Sequence, residues 1–436
     1  MSTLKTPAST GGITGVRQAT GRILFFAFLG TLFDGAELNL VGYPLSYLSE
    51  SLHVSTIQIV QVSTLQGFAS IAGGILCGWL GDLIGRRWTY TGSVLIFGIA
   101  ALLGGLAPNY TLFLITRLLA GIGMGGLFGL SFSMFAECWK TAKRGMMGGS
   151  IQAMYFVGQI VTEGVIYFCI VRFGTHNGWR AGYVLIGAVT LVIGLASAFL
   201  LPESEQWRTY QRALARGRVP EHLRRTKVPL LDLFRGGYAG GTIVFMALAT
   251  ALFLTTNSLI SYLSTFLIKV QKVPLGTASL IVLLGLVVTA ITYPVTGILS
   301  DVLRRKWAFF ASALFGIIGF TWFLILVTSH SARIGTDFWA SPAFWALMLC
   351  AGASGGFGVL GIWMAEFFPT RLRSSGSNLS YYAGRGFGAG LFPLVALSIA
   401  GSVPLALAFG IVGPVAGAVL ALVAPDSTGR RIEAIE

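Results

Sequence analysis

Charged side chains interrupt three of the long apolar runs of this chain. Asp34 and Glu37 lie in the first run, and Arg117 and Arg385 lie in two later ones. Because a charge inside a lipid bilayer is costly, an ionisable residue there marks a candidate functional site. Asp34 and Glu37 are close enough to share one face of a helix. In a low dielectric each carboxylate opposes the ionisation of the other, so the two predict a proton-binding site.

Arg385 belongs to a second set of polar residues, which we predict to bind the substrate. At helical spacing it shares one face with Asn378, Tyr381 and Tyr382. A guanidinium presents a planar fork that fits a carboxylate, and flanking tyrosines suit a flat organic anion. The alternative is an internal ion pair between Arg385 and the first apolar run, without any contact with substrate.

Two further polar sets are candidates for the lining of a substrate cavity. The first set follows the helical period and consists of Gln152, Tyr155, Gln159 and Glu163. The second set is the run 255–258, which contains Asn257. Hydrogen bonds between helices are an equally common use of such residues in membranes, and that alternative stays open.

The composition indicates that lipid surrounds most of the chain. Its 436 residues are 54% hydrophobic and 11% charged, with a mean hydropathy of +0.77, whereas a globular domain carries about 25% charged residues. Apolar runs from 23–48 to 402–423 are each long enough to cross a bilayer, which takes a helix of ~20 residues. They are continuous, unlike the short alternating segments of a β-barrel. The sequence predicts an all-α membrane protein with twelve transmembrane helices.

The basic residues predict the orientation and the division of the chain. With both termini in the cytoplasm, most of the 30 lysines and arginines lie on the cytoplasmic side, as the positive-inside rule requires. Membrane topology thus explains the net charge of +14, and we expect no nucleic-acid partner. The hydrophilic stretch 202–236 is predicted to be a cytoplasmic linker. It separates an N-terminal six-helix bundle at 1–201 from a C-terminal six-helix bundle at 237–436.

The two predicted bundles repeat each other. After the second apolar run stand Gly78, Asp82, Arg86 and Arg87, which align at constant spacing with Gly297, Asp301, Arg305 and Lys306. A second matched set aligns Glu137 and Arg144 with Glu366 and Arg373. Two matched sets at the same points of both halves indicate an internal duplication and hence pseudo-symmetric bundles.

The segment 78–87 resembles the loop motif G-x-L-x-D-x-x-G-R-[RK] of the major facilitator superfamily. The segments 366–371 and 384–385 are similar to motifs of its organic-anion:proton symporter and sugar-porter-like branches. Asp34-Gly35-Ala36-Glu37 resembles the D-G-[YF]-D element of aromatic-acid:proton symporters, with Ala36 and Glu37 as departures. The resemblance implies a secondary transporter. It also implies that Arg117 adjusts the proton affinity of an acid, although a static pair of Arg117 with Glu163 is an alternative.

The matched loop motifs are predicted to form gates. Asp82 and Asp301 can lie near helix N-termini, where a carboxylate is favoured. Glu137 and Glu366 are expected to pair with nearby arginines. These arginines, with Gly78, complete the predicted gating set: Arg86, Arg87, Arg144, Arg305 and Arg373. Several such pairs can bias an outward-open against an inward-open state, because that equilibrium depends on a few kcal/mol. Positive-inside anchoring alone is the alternative role.

Several cofactor sites are disfavoured by the sequence, and we expect no cofactor and no metal. The glycine pattern at 121–126 lies inside an apolar run, whereas a dinucleotide site needs a preceding strand and an open helix N-terminus. No lysine-containing phosphate loop is present, which argues against ATP-driven transport. The four histidines, His53, His176, His222 and His330, are predicted in loops and form no metal set. No nucleophile–base set indicates an enzyme.

These features together predict a proton-coupled symporter that carries a small organic anion by alternating access. The anion is expected to be an aromatic acid or another monocarboxylate, and the protein to be a monomer in a bacterial inner membrane. Two alternatives stay open, a proton-coupled sugar or polyol symporter and a proton-driven drug exporter.

Overall fold

The computed structural model describes residues 10–42, 44–139, 143–221, 224 and 229–430, and within these ranges the chain is helical with no strand. His222 and part of the linker 202–236 lie outside them. The α-helices are α1 (Thr10–Gly42), α2 (Leu45–Ser51), α3 (Thr56–Leu83), α4 (Arg86–Gly105), α5 (Tyr110–Met124), α6 (Leu127–Cys138), α7 (Arg144–Leu200), α8 (Glu205–Ala215), α9 (Pro229–Leu233), α10 (Ala239–Thr265), α11 (Leu275–Leu303), α12 (Arg305–Thr328), α13 (Pro342–Gly352), α14 (Phe357–Phe367), α15 (Arg373–Arg385), α16 (Phe392–Ala400), α17 (Val403–Ala408) and α18 (Val412–Val423).

The described helices account for twelve membrane crossings. Eleven helical stretches in the described ranges are long and apolar enough to cross a membrane, and one of them is the 57-residue α7. At ~1.5 Å per residue α7 is far longer than a hydrocarbon core of ~30 Å. Gly174 has a φ of 78° and a ψ of 170°, which breaks the helix there. Glycine tolerates this positive φ without strain, so α7 turns back and crosses twice.

Two predicted segments differ from the observed helices. The first apolar run was expected to be helical over 23–48, but α1 ends at Gly42 and α2 begins at Leu45. Pro44 stands at this junction, and its missing N–H removes the hydrogen bond that would continue α1. The predicted linker contains the short helices α8 and α9. The division at 1–201, 202–236 and 237–436 stays a prediction.

Four acidic residues, Asp82, Glu137, Asp301 and Glu366, lie in the last turns of α3, α6, α11 and α14 at one end of the molecule, which we call the motif face. Near this face α7 and α11 approach each other closely through glycines. A β-carbon on Gly145 would lie 2.3 Å from the carbonyl oxygen of Gly297, and one on Gly149 would lie 2.4 Å from that of Tyr293. Small residues allow such backbone contact between membrane helices. The two halves of the chain are therefore in direct contact at the motif face.

This packing predicts that Gly149→Ala destabilises the protein. Its methyl group would collide with the backbone of α11, so the helices have to separate, at a cost of about 1–3 kcal/mol for overpacking. Gly164→Ala is the matched control on the same helix, because a β-carbon there meets nothing within 4 Å. Thermal unfolding of the purified protein, followed by intrinsic fluorescence, should show a lower midpoint for Gly149→Ala only. Equal midpoints for the two variants would contradict the close contact.

Candidate functional site

A buried ion pair joins the two halves of the chain. Arg385 Nη1 lies 3.1 Å from Asp34 Oδ1, and both side chains are almost completely buried. Asp34 comes from α1 and Arg385 from the end of α15. The Nη2 atom of Arg385 is buried and has no hydrogen-bond partner among the described residues. The guanidinium therefore keeps one donor group for a further acceptor.

Glu37 makes a separate ion pair within the N-terminal half. Arg117 Nη1 lies 2.6 Å from Glu37 Oε1, with both side chains fully buried. Gln66 Nε2 donates to the same oxygen at 3.1 Å, and Arg117 Nη2 donates to the Ala100 carbonyl oxygen at 2.9 Å. The two acids of α1 thus have different arginine partners. Arg117 is paired here with Glu37, and not with Glu163 as in the alternative considered from the sequence.

A small cavity of about 40 Å³ lies beside the Asp34–Arg385 pair. Its lining includes five residues that were predicted to contact substrate: Arg385, Gln152, Tyr155, Asn257 and Tyr381. The Gln152 Oε1 atom is buried without a hydrogen-bond partner in the described chain. The Tyr381 ring stacks on Phe128 of α6 at a centroid distance of 3.5 Å. Polar groups and aromatic faces thus surround one guanidinium.

Two residues predicted to bind substrate make helix–helix contacts instead of lining this cavity. Asn378 Oδ1 accepts a hydrogen bond of 2.8 Å from the Gly129 N–H. The Tyr382 hydroxyl donates to the Met124 carbonyl oxygen at 2.5 Å. Neither residue is among the described residues that line the two central cavities. The predicted single polar face of α15 is therefore divided between the cavity and the contact with α5 and α6, and a substrate role for these two residues stays a prediction.

A larger cavity of about 550 Å³ continues from the small one, and the two share Phe156, Thr256 and Ile260. Its other walls come from the parts of α7, α10, α11 and α13 that are remote from the motif face. Gln159, which was predicted to line a substrate cavity together with Gln152 and Tyr155, lines this larger one. A cavity of this size accommodates a small organic molecule. The central site is thus reached from the face opposite the motif face.

At the motif face, a buried cluster of charges links α3 and α6 to α15. Asp82 accepts hydrogen bonds from the Ser374 and Ser375 N–H groups at 3.2 and 2.9 Å, in the first turn of α15. Glu137 Oε1 lies 3.2 Å from Arg86 Nη2 and 2.8 Å from Arg373 Nη1. A carboxylate at a helix N-terminus is favoured by the exposed N–H groups and the helix dipole. The cluster therefore holds the two halves together at this face.

A second cluster repeats this arrangement with the halves exchanged. Asp301 accepts hydrogen bonds from the Gly145 and Met146 N–H groups, at 2.7 and 2.9 Å, in the first turn of α7. Arg305 pairs with Glu366 at 3.0 Å and with Asp301 at 2.8 Å. Arg144 lies 3.7 Å from Glu366 across the interface. Both predicted gates are therefore closed in this structure.

Two other predicted gating residues have different surroundings. Gly78 lies where α3 approaches α15, and a β-carbon there would be 2.9 Å from the Ser375 Cα. Arg87 was expected to pair with Glu137 or Glu366, but its guanidinium donates to the Ala198 carbonyl oxygen and lies 4.8 Å from the Trp88 ring. Its position one residue after Arg86 turns it to another side of α4. The expectation for Arg87 is therefore wrong in this conformation.

The segment that follows each half caps the equivalent helix of that half, α4 in the first half and α12 in the second. Glu203 accepts a hydrogen bond of 3.0 Å from the Arg86 N–H at the start of α4, and Thr428 accepts one of 2.9 Å from the Arg305 N–H at the start of α12. Burial raises the pKa of the Glu203 carboxyl, although hydrogen bonds from backbone N–H groups oppose this. Partial burial would also raise the pKa of Asp426, but hydrogen bonds from Thr428 and an ion pair with Arg304 hold it below its usual value.

Comparison with known proteins now decides the family. A family model described as Major Facilitator Superfamily matches residues 27–332. The chain belongs to this superfamily. It is 28% identical over 409 residues to the cis,cis-muconate transport protein of Acinetobacter baylyi, and the matched region covers 90% of this chain and 91% of that protein. It is 24% identical over 406 residues to the sialic acid transporter NanX of Escherichia coli, with 92% of each chain covered.

A solved structure of the proton:xylose symporter XylE has the same fold. It matches with a TM-score of 0.72 and 19% sequence identity, and covers 95% of this chain and 97% of that one. The predicted family and the predicted all-α fold with twelve transmembrane helices are confirmed. The protein is a multi-pass membrane transporter of metabolites and not an enzyme, as the sequence indicated.

Several residues around the candidate site were not predicted from the sequence. Gln66, the amide partner of Glu37, stands in an apolar run, and that isolation was a usable signal. Phe156 and Tyr293 line the small cavity, but aromatic residues in apolar runs are common and gave no signal. A polar residue inside an apolar run can thus be recognised from the sequence, whereas the apolar residues that line a cavity cannot.

The gate clusters predict that Glu137→Gln opens the motif face of the transporter. The amide removes the carboxylate that the buried Arg86 and Arg373 share, although Arg86 keeps its ion pair with Asp82. Breaking a buried pair costs about 3–5 kcal/mol. Only the closed state bears this cost in full, so the open state gains population. Half-buried Cys138 follows Glu137 and reports the change, because its alkylation by a polar maleimide should be faster in the variant.

Arg304→Gln is the control for this experiment. The Arg304–Asp426 pair lies at the same face but is exposed, at 69% and 34% of the two side chains, and such pairs contribute at most ~1 kcal/mol. Its alkylation rate should match the parent protein. Equal rates in all three proteins would show that the Glu137 cluster does not keep the face closed.

Proposed function

We propose that this transporter couples the uptake of a small organic anion, an aromatic acid or another monocarboxylate, to the symport of a proton by alternating access. The observation that carries the proposal is the Asp34–Arg385 pair, which joins the two halves beside the central cavity. The proposed proton acceptor, Asp34, and the proposed anion-binding group, Arg385, are thus partners in one ion pair.

The pair suggests how the two substrates depend on each other. A proton that binds Asp34 neutralises the carboxylate and removes the attraction that holds Arg385 to it. The guanidinium then binds the carboxylate of the substrate, for which Nη2 is already available and a bidentate contact becomes possible. The substrate anion replaces the Asp34 charge, so the buried arginine has a counter-ion both in the empty carrier and in the fully loaded one. Binding either species alone would leave an uncompensated charge, which is strongly disfavoured inside the membrane.

The two cavities and the closed motif face fit one state of an alternating carrier. The central site is accessible from the opposite face, and both gate clusters are closed. In the proposed orientation both termini are cytoplasmic, which makes this the outward-facing state of a protein of the bacterial inner membrane. Occupation of the site weakens or replaces the contact between α1 and α15, and the halves then rock so that the gates open.

The acid substrate class is supported by two relatives that align over nine-tenths of the chain. They are named as transporters of muconate and of sialic acid. Arg385 supplies the positive charge that an acid requires, and Tyr155 and Tyr381 supply aromatic surface next to it. A flat carboxylate satisfies both features at once.

A sugar or polyol symporter is the second candidate. Gln152 and Asn257 line the small cavity, and amide groups suit hydroxyl-rich ligands because each amide both donates and accepts hydrogen bonds. In this case Arg385 would serve only as the partner of Asp34, and no substrate carboxylate would be needed.

Uptake by proteoliposomes distinguishes these candidates. The purified protein is reconstituted, an inside-alkaline pH gradient is imposed, and labelled benzoates, nicotinate, lactate and hexoses are offered. Accumulation of an acid that a protonophore abolishes supports the proposal. Accumulation of a hexose only would establish the sugar symporter in its place.

The proposed role of Asp34 predicts the phenotype of Asp34→Asn. The amide cannot take up a proton, so accumulation driven by the pH gradient should be lost, whereas exchange of labelled for unlabelled substrate should continue. Asp337→Asn is the control, because Asp337 is an exposed acid remote from the site and its removal should change neither activity. Full gradient-driven accumulation by Asp34→Asn would rule out Asp34 as the coupling site.

The charge balance of the site predicts electroneutral transport of a monocarboxylate that carries no other charge. A proton on Asp34 and a monocarboxylate on Arg385 add no net charge to the pair. A pH gradient should therefore drive accumulation, while a potassium diffusion potential imposed with valinomycin at equal pH should not. Substantial potential-driven uptake of a monocarboxylate would contradict the exchange of counter-ions at Arg385.

A further inference from the structure

The large cavity has an unusual charge for the entrance of an anion site. Glu163 of α7 lies in its wall, and it is the only residue with an ionisable side chain among the described lining residues. Most of the remaining lining is apolar, with side chains such as Leu259, Leu286 and Met348. The mechanism proposed above assigns no task to this carboxylate.

Glu163 and the central site lie on one line along α7. Gln152, Tyr155, Gln159 and Glu163 recur at the helical period, and they line first the small and then the large cavity. Tyr155 shares the small cavity with Arg385. Glu163 lies about two turns further along, which corresponds to ~12 Å at the rise of an α-helix. A cationic group and an anionic group therefore stand at the two ends of one continuous, mainly apolar space.

A carboxylate at the entrance has an electrostatic effect on any substrate. It repels a simple anion, because the apolar walls keep the local dielectric low and strengthen the interaction. It attracts an ammonium group or another strong hydrogen-bond donor, and bonds of this charged kind are about twice as strong as neutral ones. A substrate with a carboxylate at one end and a protonated amine at the other matches both charged groups of the cavity.

We infer that Glu163 is a specificity-determining residue that binds an ammonium or strong donor group at the far end of an elongated substrate, whose carboxylate lies at Arg385. The inference rests on the proposed anion site and narrows its substrate class to amino-substituted carboxylates with an apolar body. Gln159, which lies between the two ends, is placed to accept or donate a hydrogen bond to the middle of such a molecule.

Binding to the detergent-purified protein tests the inference. The probes are ω-amino carboxylates of increasing chain length, each matched with the unsubstituted carboxylate of the same length, and affinity is measured by isothermal titration calorimetry. At the best length the amino compound should bind at least about tenfold more tightly than its match, as expected for a charged hydrogen bond. Glu163→Gln should remove this preference and leave the affinity for the unsubstituted compound unchanged or higher.

Glu50→Gln is the matched control, because Glu50 is an exposed acid in α2 outside the large cavity. This variant should keep the preference for the amino compound. A wild-type protein that binds both members of each pair equally, or a Glu163→Gln protein that keeps the preference, would overturn the inference.

The same assays separate this inference from the proposed function. If aromatic acids accumulate under the pH gradient while no amino compound binds better than its match, only the role of Glu163 is wrong. If no carboxylate is bound or accumulated by the wild-type protein, the anion site at Arg385 is wrong, and the inference fails with it.

Discussion

The ion pair between Asp34 and Arg385 ties α1 to α15, with both side chains almost completely buried. A buried pair of this kind adds little net stability, but loss of one partner leaves a charge that costs several kcal/mol. Any event at the site therefore has to supply a replacement charge or remove one. In the mechanism proposed above, a proton and a carboxylate do this together, so occupancy of the site and contact between the two halves change together.

The gates at the motif face use a second form of the same constraint. Asp82 and Asp301 each neutralise the first turn of a helix in the other half, and the arginines beside them pair with Glu137 and Glu366. An opening of this face has to break both clusters and expose the helix N-termini. A difference of a few kcal/mol suffices to reverse such an equilibrium. The free energy gained or lost at the Asp34–Arg385 pair is of the same magnitude, so changes there can shift the equilibrium of the gates although the pair lies far from them.

The sequence was informative wherever a residue contradicted its surroundings. Acids and arginines inside apolar runs identified Asp34, Glu37, Arg117 and Arg385, because lipid penalises a charge there. An ion pair of Arg385 with the first apolar run was one of the two interpretations considered, and it is the contact observed. Which acid meets which arginine was not predictable, since helical period defines the face of a side chain but not the neighbouring helix. For the same reason Asn378 and Tyr382 were grouped with Arg385, whereas the structure turns them toward α5 and α6. The apolar walls of the cavities had no signal at all, because lipid-facing and cavity-facing apolar residues look alike.

The internal duplication explains why the gates are symmetric and the site is not. At the spacing that aligns Gly78 with Gly297, Asp34 aligns with Phe253, and at the spacing that aligns Glu137 with Glu366, Arg385 aligns with Phe156. Both phenylalanines line the small cavity. One of the two equivalent positions thus holds an ion pair and the other holds two aromatic rings. In the proposed cycle, symmetric gates allow the halves to rock between equivalent closures, while the single charged pair gives the central site one anion-binding end. The charged groups of the candidate site are thus located where the repeat has diverged, whereas the matched clusters of the motif face are located where it has not.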